Sequence, residues 1–302
     1  MSDTIVIWQF TDQKPGHENQ SKGLIQAIKN RRSTESHRIL IPDSLLAFIY
    51  ALLNKSLYNQ LAQLPKPTHL IAVGRRTHLP MLLAHWWFGG QRIVLSKPLW
   101  PKAWFDFLIL PAHDRFKSKG NLLTTHGSMN NVTPSNSHDP NLAIILIGGP
   151  SNHYHWDSDK VIQQISELVE STTAVTWTIA NSRRTPADFI EKLLTALPQL
   201  PITDYKMVDN KWLPSQLANA GQVWVSPDSV SMVYEALTSG AVVGCLMLKP
   251  KSSNNRIVNG LNALLEQNML TSFEQWQISH KLTPPPQQLY EAQRAADWIL
   301  NQ

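Results

Sequence analysis

The turn Ser226-Pro227-Asp228-Ser229, running into Val230-Ser231-Met232-Val233-Tyr234-Glu235-Ala236, carries residue types that can seat a phosphate. The apolar run Val223-Trp224-Val225 before it reads as a strand, and the Ser/Asp turn opens a helix. Short polar side chains cap orphan N–H groups at a helix start. The N–H groups left over, together with the helix dipole, attract an anion. Glu235, one to two turns in, could then accept hydrogen bonds from ribose hydroxyls. Alone, the run is better explained as an ordinary capped αβ unit. Three other strand-end turns carry related chemistry, and together they shift the balance.

The first strand ends in Thr11-Asp12-Gln13-Lys14-Pro15-Gly16-His17-Glu18-Asn19-Gln20. Gly16 permits close approach of backbone to a ligand. Imidazole titrates near neutral pH, so His17 suits general-base work, with Glu18 and Asp12 as competing candidates. Capping of the next helix by His17 or Asn19 is the plainer alternative. No G-x-G-x-x-G follows this strand, so the dinucleotide fingerprint is missing. Gly74-Arg75-Arg76-Thr77-His78 follows a second strand, and guanidinium forks suit phosphate or carboxylate. Two arginines on a solvated rim explain that turn equally.

In the second half, Gly148-Gly149-Pro150-Ser151-Asn152-His153 follows a strongly apolar run. Paired glycines there admit a diphosphate beside backbone N–H groups. His153 and His155 are spaced like metal ligands, but the loop context and the lack of a nearby cysteine argue against a metal. Asp157-Ser158-Asp159 reads better as helix capping than as a metal string. Asn181-Ser182-Arg183-Arg184-Thr185-Pro186 offers two more cations, before a helix with Pro in its first turn.

Something must position these turns, and the pattern between them supplies it. Apolar β-branched runs alternate with helical periodicity, the signature of α/β architecture with parallel sheets. In the first half, strands are predicted at 5–10, 38–41, 69–73, 92–95, 107–110 and 122–124, with helices at 20–30, 44–53 and 80–87. The polar, turn-rich segment 132–141 predicts a linker. After it come strands at 143–147, 174–179, 223–225 and 241–248, and helices at 158–170, 186–197, 259–267 and 289–300. Two Rossmann-like domains follow, at 1–137 and 138–302, with the last helix free to pack back on the first domain. Ligand sites are expected at the strand C-terminal ends, in the cleft between the domains.

Composition narrows the class. The 302 residues are 42% hydrophobic and 16% charged, with one cysteine. Cys245 rules out a disulfide framework and sits in an apolar run as a strand residue. The first residues show no basic leader, and the longest apolar stretch, 45–53, is too short to cross a bilayer. A cytosolic protein is expected. The net charge of +5 and pI near 9.3 suit anionic small molecules or an anionic inner leaflet. No basic block is interleaved with stacking aromatics, so nucleic acid is not expected. Trp86-Trp87-Phe88 could form a membrane-facing patch, although a core helix accounts for it better.

Taken together, the strings DQKPGHENQSKGL at 12–24, GRRTHLP at 74–80, LIGGPSNHYHWD at 146–157, SRRTP at 182–186 and SPDSVSMVYEA at 226–236 resemble the bacterial members of the elongated-mitochondria (mitochondrial fission) family. The closing YEAQRAADWI resembles that family's ending. The resemblance implies a fold similar to GT-B glycosyltransferases, with an acceptor-side first domain and a nucleotide-sugar-binding second domain. It implies donor binding by Gly148, Gly149, Ser182, Arg183, Asp228, Ser229, Ser231 and Glu235, with His17 near the acceptor. Gly16, Gln20, Gly74, Arg75, Arg76, Thr77, Ser151, His153, Arg184 and Met232 complete the candidate substrate contacts. The expected activity is metal-independent transfer of a sugar from a nucleotide sugar to a cell-surface glycan or lipid-linked acceptor, without a cofactor, in the cytoplasm or peripherally on the inner membrane. The alternative is a non-catalytic, membrane-associated adaptor on a degenerate GT-B scaffold. An epimerase is disfavoured, since neither an NAD fingerprint nor a Tyr-x-x-x-Lys pair is present.

Overall fold

The computed structural model describes residues 4–111, 118–253 and 255–302. The acidic start at residues 1–3 lies outside them. The chain divides into two compact units, Met1–Asn131 with Tyr290–Gln302, and Val132–Leu289.

Unit 1 alternates strands and helices: β1 (Ile5–Thr11), α1 (Pro15–Lys29), β2 (Thr34–Leu40), α2 (Leu45–Leu53), α3 (Ser56–Ala62), β3 (His69–Ala72), α4 (Arg75–Phe88), β4 (Gln91–Val94), β5 (Phe107–Pro111) and β6 (Leu122–Thr125). A single 3-10 turn, Lys102–Trp104, precedes β5. The strands pair in parallel in the order β2-β1-β3-β4-β5-β6. β1 is wedged between β2 and β3, with Ile7 opposite Ser36 on one side and His69 on the other. Strands buried on both faces need continuous apolar sequence, which β3 and the end of β1 supply. The strand order reverses between β1 and β3, and the turns after these two strands are where such sheets bind ligands.

Unit 2 repeats the scheme with β7 (Asp139–Leu146), α5 (Ser158–Ser171), β8 (Thr176–Ala180), α6 (Ala187–Ala196), β9 (Ile202–Thr203), α7 (Trp212–Asn219), β10 (Ala220–Val225), α8 (Val230–Ser239), β11 (Val242–Cys245), α9 (Arg256–Glu266), β12 (Thr271–Ser272) and α10 (Phe273–Ser279). Its parallel sheet runs β12-β11-β10-β7-β8-β9, which reverses between β7 and β10. Trp224 lies fully buried on one face beside Phe273 and Trp276, while Val223 and Val225 pack on the other. The last helix, α11 (Glu291–Leu300), belongs to unit 1. Its Ala292, Ala295 and Ala296 pack with Leu24 and Ile28 of α1 over Ile7, Ile71 and Ile93. α2, α3 and α4 cover the opposite face, placing Phe48, Leu61, Met81 and Ala84 on Trp8, Leu70 and Leu108.

Several boundaries differ from the sequence expectation. Residues 132–138 belong to unit 2, and β7 begins at Asp139 because Asp139 pairs with Ala220 across a bulge. α1 and α4 each begin five residues earlier than periodicity indicated, so the expected loops at 15–19 and 75–79 are first helical turns. α3, β9, β12, α7 and α10, absent from the sequence expectation, are too short or too weakly patterned to stand out. Only neighbouring strands and helices make them regular.

Candidate functional site

Pro15 occupies the first position of α1, where its fixed φ suits a helix and its missing N–H would be unpaired anyway. His17 and Glu18 therefore stand in a rigid first turn. His17 Nδ1 lies 2.9 Å from Asp12 Oδ1. The Asp12 side chain is 2% exposed and that of His17 29%. A carboxylate at Nδ1 holds the ring proton there and leaves Nε2 as the basic nitrogen. Burial raises the Asp12 carboxyl, but the hydrogen bond and charge of His17, with Lys14, outweigh it and hold the pKa below its ordinary 3.8. Glu18, the competing base, is committed elsewhere: it accepts from Thr11 Oγ1 at 3.2 Å and Lys22 Nζ at 3.2 Å and pairs with Arg38. Burial raises its carboxyl, and Arg38 and Lys22 more than compensate, leaving the pKa below its ordinary 4.5.

Both carboxyls thus release protons more readily folded than unfolded. Their stabilisation is complete above pH 4.5, the higher ordinary value, and is lost as pH falls through the lowered folded values. We expect melting temperature to drop on acidification below that pH, and Glu18→Gln to flatten the drop, as followed by circular dichroism. An equal acid slope in wild type and variant would contradict the assignment.

Gly74, which caps α4, has φ +87°, and a Cβ there would press into the His17 ring. Only glycine both adopts that backbone and leaves the imidazole its room. The Gly74 N–H donates to Ser96 Oγ at 3.1 Å. The turns after β1 and β3 therefore meet at His17. Among the other expected contacts here, Arg75 is exposed, Gln20 is half-buried and Gly16 has open space beside it. Arg76 is tied to the Pro42 carbonyl at 2.8 Å. Thr77 does not offer its hydroxyl: it is fully buried and donates to the Gly74 carbonyl at 2.8 Å, stitching the first turn of α4.

His78 was not among the expected contacts. It is fully buried against Phe105 at 5.8 Å, and neither ring nitrogen has a hydrogen-bond partner. Burial, with Arg75 and His17 nearby, pushes its pKa down to about 4, so the ring is neutral near pH 7. An orphaned buried polar group costs about 1–3 kcal/mol. We expect His78→Leu to raise the melting temperature by about 2–4 °C per kcal/mol recovered, while any ligand that His78 contacts binds more weakly. Calorimetry of the variant with and without ligand separates the two effects.

In unit 2 the turns after β7, β8 and β10 lock together. Gly148 N–H donates to Ser226 Oγ at 2.7 Å, and Gly149 N–H donates to Asp228 Oδ2 at 3.0 Å. The paired glycines do not present free N–H groups to a diphosphate. They let two turns close on each other, since a Cβ on Gly148 would overlap the Asp228 carboxylate. The Arg184 guanidinium reaches Asp228 Oδ2 at 2.6 Å, and the Asp228 side chain is fully buried. Ser182 and Thr185 hydroxyls donate to the Gly148 carbonyl at 3.0 and 2.6 Å. Arg183 is exposed beside them.

The start of α8 has no side-chain cap. Ser229 precedes it without a side-chain hydrogen bond, Ser231 is exposed, Met232 is half-buried and Glu235 is buried one to two turns in. Ser151 and His153 are used structurally. Ser151 Oγ accepts from the N–H groups of His153 and Tyr154, and His153 Nδ1 lies 2.9 Å from Asn255 Nδ2. Asp157 caps α5 by accepting from Lys160 N–H at 3.2 Å. Among the described residues, no three His, Cys, Asp or Glu side chains are grouped to hold a metal ion. The residues that sequence reasoning missed are His78, Ser96, Thr185 and Ser226. Ser226 was visible, since a Ser ends the apolar run 223–225, but its partner lies 78 positions away.

The profile of the mitochondrial fission ELM1 family matches residues 15–302. The chain belongs to that family. A search of curated proteins returned no match for this ELM1-family chain. Among solved structures, it resembles a protein of Listeria monocytogenes assigned as a UDP-N-acetylglucosamine 2-epimerase, at TM-score 0.64 and 15% identity, covering 99% of this chain and 95% of that one. It also resembles the UDP-GlcNAc 2-epimerase of Neisseria meningitidis bound to UDP-GlcNAc, at TM-score 0.54 and 11% identity over 99% of each chain. MurG of Acinetobacter baumannii is similar at TM-score 0.53 and 10% identity over 99% of this chain and all of the other. The ELM1-family chain therefore has a GT-B-like fold of two Rossmann-like units.

Proposed function

We propose that this ELM1-family chain is a glycosyltransferase that uses a nucleotide-sugar donor. The observation that carries the reading is the Asp12–His17 pair at the strand-order reversal of unit 1, a ready general base. Unit 2 supplies the donor seat: the open start of α8 and the exposed Arg183 take the diphosphate, and Glu235 takes the ribose. His17 Nε2 removes the proton of the acceptor hydroxyl, whose oxygen bonds to the anomeric carbon. The bond from that carbon to the diphosphate oxygen breaks, and its electron pair leaves with the nucleotide. The proton remains on the imidazolium, which Asp12 stabilises. Helix N–H groups and Arg183 neutralise the leaving group, so no metal is required. The acceptor is an anionic glycan or a lipid-linked sugar at the cytoplasmic face of a membrane.

A second reading, epimerisation at C2 of a UDP-sugar, is favoured by the two epimerase structures above. The missing dinucleotide fingerprint does not weigh against it, because epimerases share this fold. Titration calorimetry against UDP, GDP, ADP and CMP, followed by proton NMR of the bound nucleotide sugar without acceptor, tests both. We expect a uridine or related diphosphate to bind and the sugar to stay unchanged until an acceptor is added. Conversion without acceptor would establish the epimerase instead. A folded chain that binds none of the nucleotides would overturn both readings and leave a non-catalytic adaptor.

A further inference from the structure

The helical layer formed by α2, α3 and α4 has a second, outward side. α2 is a nine-residue helix without a charge, and only Phe48 is buried. Leu45, Leu46, Tyr50 and Leu53 are 70, 79, 68 and 78% exposed. α4, which packs on the same sheet face, exposes Trp86 at 83%. The core reading of the aromatic triplet therefore holds for Trp87 and Phe88, which stack around Tyr58, and fails for Trp86. Beside Trp86 lies a groove of about 680 Å³, walled by Leu79, Leu82, Leu83, Trp100 and Trp104.

The two polar side chains of the groove are already satisfied. Arg92 forms an ion pair with Asp106 at 2.9 Å, and His85 Nδ1 lies 2.8 Å from the Gly90 carbonyl. What the groove offers an occupant is hydrocarbon and indole. The charge of this stretch of chain is mostly of one sign. From Asp43 to Asp106 the acidic residues are Asp43 and Asp106, the latter paired with Arg92, against Lys55, Lys66, Arg75, Arg76, Arg92, Lys97 and Lys102. The net charge of the whole chain is +5, so this segment carries all of the surplus. Exposed leucines and indoles on a stretch of chain rich in cations, with Lys97 and Lys102 exposed on either side of Trp100, are the chemistry of a surface that enters an anionic bilayer. Large apolar side chains gathered on one uncharged helix and left in water mark an interaction surface.

We propose that the α2–α4 face of unit 1 docks on an anionic phospholipid bilayer, with Leu45, Leu46, Tyr50, Leu53 and Trp86 in the interfacial region and an acyl chain in the groove. Among the described residues, no helix is long and apolar enough to cross a membrane, so this is attachment to one leaflet. The inference stands apart from sugar transfer, because none of these residues belongs to the nucleotide or base sites.

Co-sedimentation with phosphatidylcholine vesicles, with and without 30% phosphatidylglycerol, tests it. We expect pelleting with the anionic vesicles only, weakened by salt. Leu46→Glu with Leu53→Glu should abolish it, and Lys97→Ala with Lys102→Ala should weaken it about 30-fold. Lipids brominated near the headgroup should quench tryptophan fluorescence, less so in Trp86→Phe. All these positions are exposed, so the variants should keep the wild-type melting temperature. Equal pelleting of the double-Glu variant, or no preference for anionic vesicles, would overturn the proposal. So would light scattering that shows a dimer dissociated by Leu46→Glu, which would make the face a contact between copies. Unchanged nucleotide binding by the variants separates this result from the fate of the transferase reading.

Discussion

Replacing His17 by alanine is expected to lower turnover by about 10²–10⁴-fold, the range a positioned general base supplies, with nucleotide affinity unchanged. In the proposed reading nucleotide is held by unit 2, whereas His17 lies in the first turn of α1 in unit 1. Removing the ring leaves Asp12, 2% exposed, without its hydrogen-bond partner, so a loss of folding could imitate a loss of chemistry. His17→Gln resolves this by keeping a donor for Asp12 while offering no base. Asp12→Asn tests the other half of the pair. Without a carboxylate at Nδ1 the neutral ring no longer favours one tautomer, and turnover should fall by a similar factor. Full activity in His17→Gln would refute the base assignment, whatever the fate of the fold.

The second large effect concerns stability. Arg184→Ala should destabilise unit 2 by about 3 kcal/mol, because it strands a fully buried carboxylate at Asp228. The reverse deletion, Asp228→Ala, should cost less, since the Arg184 side chain is 40% exposed and can turn to water. For a unit of this size, 3 kcal/mol corresponds to a fall in melting temperature of about 6–12 °C. Asp228→Asn in the Arg184→Ala background removes the stranded charge and should recover most of the loss. A double-mutant cycle read by urea unfolding gives the coupling directly. Additive single-mutant costs would mean that the pair does not hold the Gly148-Gly149 turn closed.

Much of the architecture was legible because parallel sheets impose a conspicuous pattern. Runs such as Ile144-Ile145-Leu146-Ile147 and Leu70-Ile71-Ala72-Val73 must be apolar throughout to be buried on both faces. The ends of those runs located the candidate turns. Capping by Asp157 was equally visible, since it depends on a neighbour three residues away. The elements that escaped notice, α3, β9, β12, α7 and α10, have seven or eight residues at most and owe their form to what they pack against.

The roles of residues within each turn were less legible. Sequence placed Asp12, His17 and Glu18 together without ranking them. Arg38, arriving on β2, claims Glu18, and Gly74, arriving at α4, makes room for the His17 ring. Likewise Gly148 and Gly149 suggested open amides, and the turns after β8 and β10 closed on them. Trp86 and Trp87 are adjacent in sequence, yet a helix turns one into solvent and the other onto Tyr58.

The sequence alone determined the alternating α/β order, the strand-end positions of the polar turns, the cationic surplus and the family. Those properties are carried by hydrophobic period, local capping and composition, which act over a few residues. The tertiary structure decided which carboxylate pairs with the imidazole, which amides the neighbouring turns close on and which aromatic faces water. Each depends on a partner brought from a distant part of the chain, and only folding fixes which partner arrives.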